Sequence, residues 1–183
     1  MGWIAKYQPK IIRKIYDAGH HIGCHSYQHQ LSYRFNKKQF IEDTGKAKML
    51  LEDVIGDKVN SFRAPSFSFT KSNLYAFEAL VELDFEFDCS VFPTSRECGG
   101  LSDFEYNTPA YISYNGIKIK EFPMSLYSFF GKKIVYSGGG YFRIFPYTFL
   151  KYITNNSDYV MTYFHPSDFD PGQPSMKNLP IFR

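Results

Sequence analysis

The stretch Gly19–Gln30, GHHIGCHSYQHQ, carries four of the five histidines of this 183-residue chain. The fifth, His165, lies far downstream in VMTYFHPSDFDP. Imidazole nitrogens bind divalent metals and titrate near neutral pH. The stretch therefore predicts a reaction centre if the fold brings His165 back beside His25 and His29. If the fold does not, the stretch is a polar loop.

His25 and His29 are the strongest candidates for metal ligands in this stretch. Their four-residue offset puts two imidazoles on one face of a helix, and in a loop that leaves a strand it can wrap around an ion. The pair alone is a weak signal, because roughly one chain in seven of this composition carries such an offset by chance. A catalytic zinc site also needs a third protein ligand. His20 and His21 are poor third ligands, since we expect them at a solvated helix end and a partly buried strand start.

Three further polar residues stand where predicted strands end. Arg63 can hold an anion bidentately, Asp88 needs a partner if it is buried, and His165 is placed for general acid catalysis near neutral pH. Each also has a purely structural interpretation: a surface arginine, an edge aspartate facing water, or a hydrogen-bonded core histidine. In barrels of βα units, reacting groups collect at the carboxyl ends of the strands.

The order of apolar patterns predicts an α/β fold. Alternation of helix and strand implies parallel strands with helices packed outside them. The dipeptide Asn115-Gly116 between alternating runs predicts a β-hairpin. With no repeat or linker, residues 1–183 are expected to be a single domain with an irregular tail after Asp168. Helices are predicted at about 4–18, 36–55, 72–81 and 146–153, and strands in HHIGCHS, VNSFRAPS, FEFDCSVF, KKIVYSGGG and DYVMTYFHP.

Composition excludes several classes of protein. A net charge of +3 is too weak and dispersed to indicate a nucleic-acid partner. No apolar run is long enough to span a membrane, and MGWIAKYQPK lacks the apolar core of a signal peptide. Cys24, Cys89 and Cys98 have no metal-site or disulfide spacing, so we expect reduced thiols and a cytoplasmic protein. The 15 Tyr and 19 Phe indicate either a sugar-binding surface or an aromatic core.

Four ordered motifs resemble those of the polysaccharide deacetylases of the NodB-homology type, carbohydrate esterase family 4. GHHIGCHSYQH resembles the His-Ser/Thr-x-x-His metal motif, and FRAPSFS resembles the arginine-proline motif. FEFDCSVFP resembles the aspartate-bearing strand, and TYFHPSDFDP resembles the final Leu-x-His motif, with Phe164 beside His165. The run SGGGYFRIFPY further resembles a subgroup linked to bacterial exopolysaccharide production and protein sorting. The resemblance implies a distorted (β/α) barrel with fewer than eight strands, outer helices and one hairpin insertion.

The resemblance also implies a reaction, the metal-dependent hydrolysis of N-acetyl groups from an N-acetylated glycan. His25 and His29 would be two ligands of a divalent metal, most often zinc. His165 would be the general acid that protonates the leaving amine. Asp88 would orient His165 and tune its charge.

The resemblance implies that the arginine-proline motif serves the attack of water on the amide carbonyl. Arg63 would hold the aspartate that acts as catalytic base, and a backbone N–H near Ser66 would bind the oxyanion. The family's Thr-Phe-Asp-Asp-Gly run, which supplies that base and the third metal ligand, has no match in this chain. Asp17 lies on the wrong side of a helix to replace it.

We therefore expect a domain that lacks the first βα unit and exposes strand edges that favour homo-oligomers. Two alternatives to an active deacetylase remain at this point. One is a catalytically impaired, carbohydrate-binding remnant of the family, consistent with the missing motif and the aromatic content. The other is an unrelated α/β domain whose histidines are structural. Convergence of the ring nitrogens of His25 and His29 on a common point would exclude the last alternative.

Overall fold

A computed structural model of the chain describes residues 1–129 and 132–172. Over these ranges the molecule is an α/β structure with a mixed sheet. The helices within the two ranges are all too short or too polar to cross a membrane. Most of the tail that was predicted to be irregular lies outside the described residues.

The chain begins with two helices instead of the single one predicted. Helix α1 spans Gly2–Tyr7 and α2 spans Pro9–Asp17, so the break falls at Gln8. Pro9 takes the first position of α2, where its missing N–H costs no hydrogen bond. Gly19 then adopts a φ of 84°, which ends α2 as predicted.

Helix α3, Lys37–Ile55, is confirmed together with both of its predicted ends. The Asn36 side chain accepts a hydrogen bond from the Gln39 N–H, and the Gln39 side chain accepts one from the Asn36 N–H. Gly56 closes the helix with a φ of 71°. The buried face of α3 packs into the main core through Phe40, Ala47, Leu51 and Ile55.

Among the described residues, the main sheet contains four strands, Ser61–Phe62 (β1), Phe87–Asp88 (β2), Ala110–Tyr114 (β3) and Ile117–Glu121 (β4). Their order in the sheet is β1, β2, β4, β3. The neighbours β1–β2 and β2–β4 are parallel, and β3–β4 are antiparallel. The predicted strand in HHIGCHS shortens to one parallel bridge between Cys24 and Phe62. Helix α4, Tyr75–Glu82, packs on α3 and β4.

The predicted hairpin at Asn115-Gly116 is confirmed. Both residues have positive φ, 46° and 82°, as a two-residue hairpin turn of this type requires. Its second strand, β4, pairs directly with β2. The hairpin therefore extends the parallel sheet.

Aromatic residues account for much of the main core. The rings of Phe40, Phe62, Phe69 and Phe77 contact one another with centroids 5.1–6.1 Å apart. All four side chains are almost fully buried, and each such burial contributes roughly 1.5–3 kcal/mol. The high phenylalanine content is thus in large part a packing feature.

The C-terminal part departs from the predicted barrel. Residues 158–165 form no strand, although DYVMTYFHP was predicted to be one. Serine hydroxyls hold this segment instead: Ser125 Oγ accepts the Met161 N–H at 2.6 Å, and Ser137 Oγ donates to the Met161 carbonyl at 2.7 Å. The described residues therefore do not close a barrel. The other elements here are Leu126–Phe129 (β5) and Lys132–Val135 (β6), which pair antiparallel, with Gly139–Ile144 (α5) and Tyr147–Asn155 (α6).

Candidate active site

The sheet register aligns the predicted site residues at the carboxyl ends of neighbouring strands. Cys24 pairs with Phe62, Phe62 pairs with Asp88, and Asp88 pairs with Glu121. His25 and Arg63 each follow this row by one residue. The sequence predicts His25, Arg63, Asp88 and His165 at the strand ends of one edge. The structure places the first three there, whereas residues 158–164, directly before His165, form no strand.

The two histidines of the candidate metal motif lie side by side. The ring centroids of His25 and His29 are 5.0 Å apart, and the rings are inclined by 69°. Nδ1 of His25 lies 2.6 Å from the carbonyl oxygen of Arg63. Since a carbonyl only accepts, Nδ1 carries the proton and Nε2 keeps a free lone pair. Burial lowers the pKa of His25 to about 4, more than the bond to the Arg63 carbonyl raises it.

A carboxylate that sequence reasoning missed anchors the histidine loop. Both oxygens of Asp43, on α3, accept backbone N–H groups, from Tyr27 at 2.8 Å and from Gln28 at 3.1 Å. Ser26 Oγ accepts the His29 N–H at 2.9 Å. Asp43 is almost fully buried on a face of α3 that is otherwise largely apolar. A carboxylate on the apolar face of a helix is the sequence feature that could have identified this anchor.

His165 lies in the electrostatic neighbourhood of His29 but is itself exposed. Burial lowers the pKa of His29, and the nearby amino terminus and the charge of His165 lower it further. The His165 side chain is 68% exposed. Its carboxylate neighbour is Asp168, whose Oδ2 lies 3.8 Å from Nδ1 and accepts the His165 backbone N–H at 2.8 Å.

Among the hydrogen bonds of the described residues, none joins Asp88 to His165, the ring that the motif implied it would orient. Asp88 is fully buried and accepts hydrogen bonds from Ser90 Oγ at 2.5 Å and from Ser90 N–H at 3.3 Å. Its other neighbour is Glu121, the residue opposite it on β4. Burial raises the pKa of Asp88. The physical reason for the difference is register, because β4 brings Glu121 to Asp88 while His165 stays at the surface.

Arg63 is held by uncharged groups. Its Nε donates to the Cys89 carbonyl at 3.2 Å, and its Nη2 lies 3.1 Å from the Met161 sulfur. The guanidinium also lies over the Phe67 ring, 5.5 Å from the centroid. Among the ion pairs found in residues 1–129 and 132–172, none involves Arg63. The carboxylate expected from the motif is thus not seen at this position.

The arginine-proline motif ends in a strained turn. Ser66 and Phe67 both have a φ of 53°, which side chains other than glycine rarely adopt. The turn's own hydrogen bonds use the Phe67 and Ser68 N–H groups, to the Ala64 and Pro65 carbonyls. Ser66 itself is exposed, and its N–H takes part in none of the hydrogen bonds found among the described residues.

The candidate site supplies some of the ligands that a zinc ion needs. A neutral His25 with Nδ1 bound to a carbonyl and a neighbouring His29 is the donor set that zinc uses. Within the part of the chain that the structure describes, no third histidine, cysteine or carboxylate converges on the pair. His25 and His29 can therefore supply two ligands of a divalent metal.

Family models cover nearly the whole chain. Residues 1–82 match the model named Polysaccharide deacetylase. Over these residues, the chain is similar to polysaccharide deacetylases. Residues 89–183, slightly more than half of the chain, match the Domain of unknown function (DUF3473), so the chain belongs to that family. No curated protein matches the chain.

Solved structures share the fold of this chain. One is a protein from Mycobacterium smegmatis assigned as a polysaccharide deacetylase, with a TM-score of 0.55, 23% identity, and coverage of 68% of this chain and 38% of that one. Another, from Pseudomonas aeruginosa PAO1 and assigned likewise, has a TM-score of 0.50, 17% identity, and coverage of 67% and 36%. PuuE allantoinase has a TM-score of 0.50, 19% identity, and coverage of 67% and 36%. At these identities the likeness shows the fold alone, and the chain spans well under half the length of each structure.

Proposed function

We propose that this chain belongs to a metal-dependent N-deacetylase that acts on an N-acetylated glycan. The observation that carries the proposal is the pair His25 and His29, with His25 held in a ligand-ready tautomer by the Arg63 carbonyl. The pair lies at the strand ends of a polysaccharide deacetylase fold, the edge where such folds place reacting groups.

The chain's own residues can perform distinct parts of the reaction. His25 and His29 would hold a divalent ion, for which zinc suits imidazole ligands. When bound, such an ion lowers the pKa of its water and polarises the amide carbonyl. The Ser66 N–H would donate to the oxyanion of the tetrahedral intermediate. His165 would give its proton to the leaving nitrogen.

Asp168 is the better candidate for orienting His165. Its carboxylate lies beside Nδ1 of that ring and accepts the His165 backbone N–H. A carboxylate beside one ring nitrogen holds the orientation of an imidazole, so that its other nitrogen can face the leaving group. In this proposal Asp168 takes the role that the motif implied for Asp88.

Aromatic rings next to His165 support a glycan substrate. The ring centroids of Phe142 and Phe164 are 4.9 Å apart, and those of Phe164 and Phe169 are 5.2 Å apart. Phe142 and Phe169 are substantially exposed. Sugar rings stack on such apolar faces while their hydroxyls stay in water. We keep bacterial exopolysaccharide as the proposed source of the glycan, on the resemblance of SGGGYFRIFPY.

Acetate release tests the reaction. The chain is loaded with zinc, its metal content is measured, and acetate is followed enzymatically with chito-oligosaccharides as substrate. His165→Ala should lower the rate roughly 10²–10⁴-fold if His165 is the general acid. His20→Ala, at an exposed histidine of the preceding helix end, is the matched control and should leave the rate unchanged. Bound zinc without any acetate release would contradict the proposal.

A catalytically impaired, carbohydrate-binding relative of the deacetylases is the second candidate. It is favoured by Arg63, whose partners in the described part of the chain are a carbonyl and a thioether instead of a carboxylate. Under this alternative, chito-oligosaccharide binding measured by calorimetry survives both His165→Ala and a chelator. Loss of binding on chelation would count against it. We also propose that the chain forms a homo-oligomer, which sedimentation measurements would test.

A further inference from the structure

Two carboxyl groups that the proposed reaction does not use face each other inside the protein. Asp88 at the end of β2 pairs in register with Glu121 at the end of β4, and neither side chain reaches solvent. Two ionised carboxylates in this setting would repel each other without the compensation of water. One of them therefore carries a proton that both share.

The hydrogen-bond partners identify Glu121 as the neutral member. Its Oε1 accepts the Val91 N–H at 3.0 Å, while its buried Oε2 has no hydrogen-bond partner among the described residues. Asp88, opposite Glu121 in the sheet, is the neighbouring acceptor. Asp88 already accepts two bonds from Ser90, as an ionised carboxylate would. Burial and the Asp88 charge raise the pKa of Glu121 well above its ordinary value. A proton on Oε2, donated to Asp88, satisfies every one of these atoms.

The chain of donors continues from Asp88 to the backbone of the candidate site. Ser90 Oγ donates to Asp88 and accepts the Ala64 N–H at 2.8 Å. Ala64 follows Arg63, whose carbonyl holds His25, and precedes the turn that presents the Ser66 N–H. The buried pair is thus linked through two hydrogen bonds to the segment that carries both features.

The surroundings keep the proton in place. Burial raises the pKa of Cys89 to about 11, and burial also raises the pKa of Tyr159, so both stay neutral near the pair. Arg63 is the nearby cation, and it is held by the Cys89 carbonyl. Neither of these neutral groups competes with Asp88 for the proton of Glu121.

We propose that Glu121 is a positioning residue: as a neutral acid it donates to Asp88 and, through Asp88 and Ser90, fixes the Ala64 amide and the adjoining Arg63–Ser66 backbone. The functional role of Glu121 rests on the proposed deacetylase activity. The location of the proton and the hydrogen bonds to the Ala64 amide do not depend on that activity, so they can be tested without measuring it.

Infrared spectroscopy of the full chain tests where the proton is. In deuterated buffer at pH 7 we expect the carbonyl band of a protonated carboxylic acid. The band should shift when glutamate is ¹³C-labelled, stay when aspartate is labelled, and vanish in Glu121→Gln. Glu105→Gln, the same change at an exposed site, should leave it intact. Absence of the band, or its shift with labelled aspartate, overturns the proposal.

Amide hydrogen exchange tests the positioning. In Glu121→Ala, the Ala64 amide should exchange roughly ten-fold faster beyond any change at the core amide of Leu51, which reports global unfolding. Glu121→Gln should restore the Ala64 rate to within about two-fold, because its amide can donate to Asp88 and its oxygen can accept from Val91.

If Glu121 only stabilises the fold, amide exchange in Glu121→Ala will accelerate equally at Ala64 and Leu51. That result overturns the proposal. If Glu121→Ala does not fold, Ser90→Ala is the second variant. It removes the acceptor of the Ala64 amide and should lose that amide's protection while keeping the infrared band. Retained Ala64 protection in Ser90→Ala also overturns the proposal.

Discussion

The carbonyl oxygen of Arg63 holds Nδ1 of His25 at 2.6 Å, and this bond joins two motifs that are 38 residues apart. It leaves Nε2 of His25 as the nitrogen free to bind a metal. Burial keeps the ring neutral by lowering its pKa to about 4. His25 is therefore in the protonation state and tautomer of a metal ligand before a metal arrives.

Removal of either imidazole should weaken zinc binding. We expect His25→Ala and His29→Ala each to lower zinc affinity at least roughly ten-fold, because each deletes one of the donors that the fold brings together. A competition titration with a chromophoric chelator measures this. His20→Ala serves as the control, since that exposed side chain lies outside the pair. Equal zinc affinity in all three variants would show that the pair is not a metal site.

Asp43 should matter both for stability and for the histidine loop. Asp43→Ala deletes the acceptor of two backbone N–H groups, those of Tyr27 and Gln28. We expect the free energy of unfolding to fall by about 2–3 kcal/mol in urea titrations. Zinc affinity should fall as well, because the loop that carries His29 is released.

The neighbouring Glu42 offers a matched control, since its side chain is 64% exposed. Glu42→Ala should change the free energy of unfolding by less than about 0.5 kcal/mol. If the two variants are equally stable, Asp43 does not anchor the loop.

The neutral state of His25 should make stability depend on pH. Its pKa is about 4 in the fold against 6.5 for an ordinary histidine, so the unfolded chain takes up the proton first as the pH falls. The contribution is fully present above pH 6.5 and declines towards pH 4. The stability advantage of the wild type over His25→Gln should therefore shrink by up to about 3 kcal/mol across this window. Urea titrations at pH 7 and pH 4.5 measure it, and an advantage that does not change with pH would contradict it.

Local signals in the sequence predicted local structure well. The capping box at Asn36 and the glycine at Gly56 bound α3 on both sides, and Asn115-Gly116 forms its hairpin turn. These features depend on backbone geometry over a few residues, which neighbouring side chains determine. The strand-end positions of Arg63 and Asp88 were also predictable, because parallel strands align their carboxyl ends.

The partners of the site residues depend on long-range register and were not predictable in the same way. Asp88 meets Glu121 because β4 returns through a hairpin to pair with β2. The segment before His165 has strand composition, yet Ser125 and Ser137 satisfy its backbone in place of a strand ladder. Nothing in the local pattern around Asp88 or His165 specifies these neighbours.

The turn after Arg63 should be sensitive to the shape of its residues. Ser66 has a φ of 53°, which costs an ordinary side chain roughly 1–2 kcal/mol and a β-branched one most. We expect Ser66→Gly to change the free energy of unfolding by less than about 1 kcal/mol, because relief of strain offsets the flexibility gained by the unfolded chain. Ser66→Val should be about 1–2 kcal/mol less stable than Ser66→Gly. Urea titrations compare this pair with Ser102→Gly and Ser102→Val at an exposed site without positive φ. If valine is tolerated equally at both sites, the turn does not hold the Ser66 N–H in the orientation that an oxyanion would need.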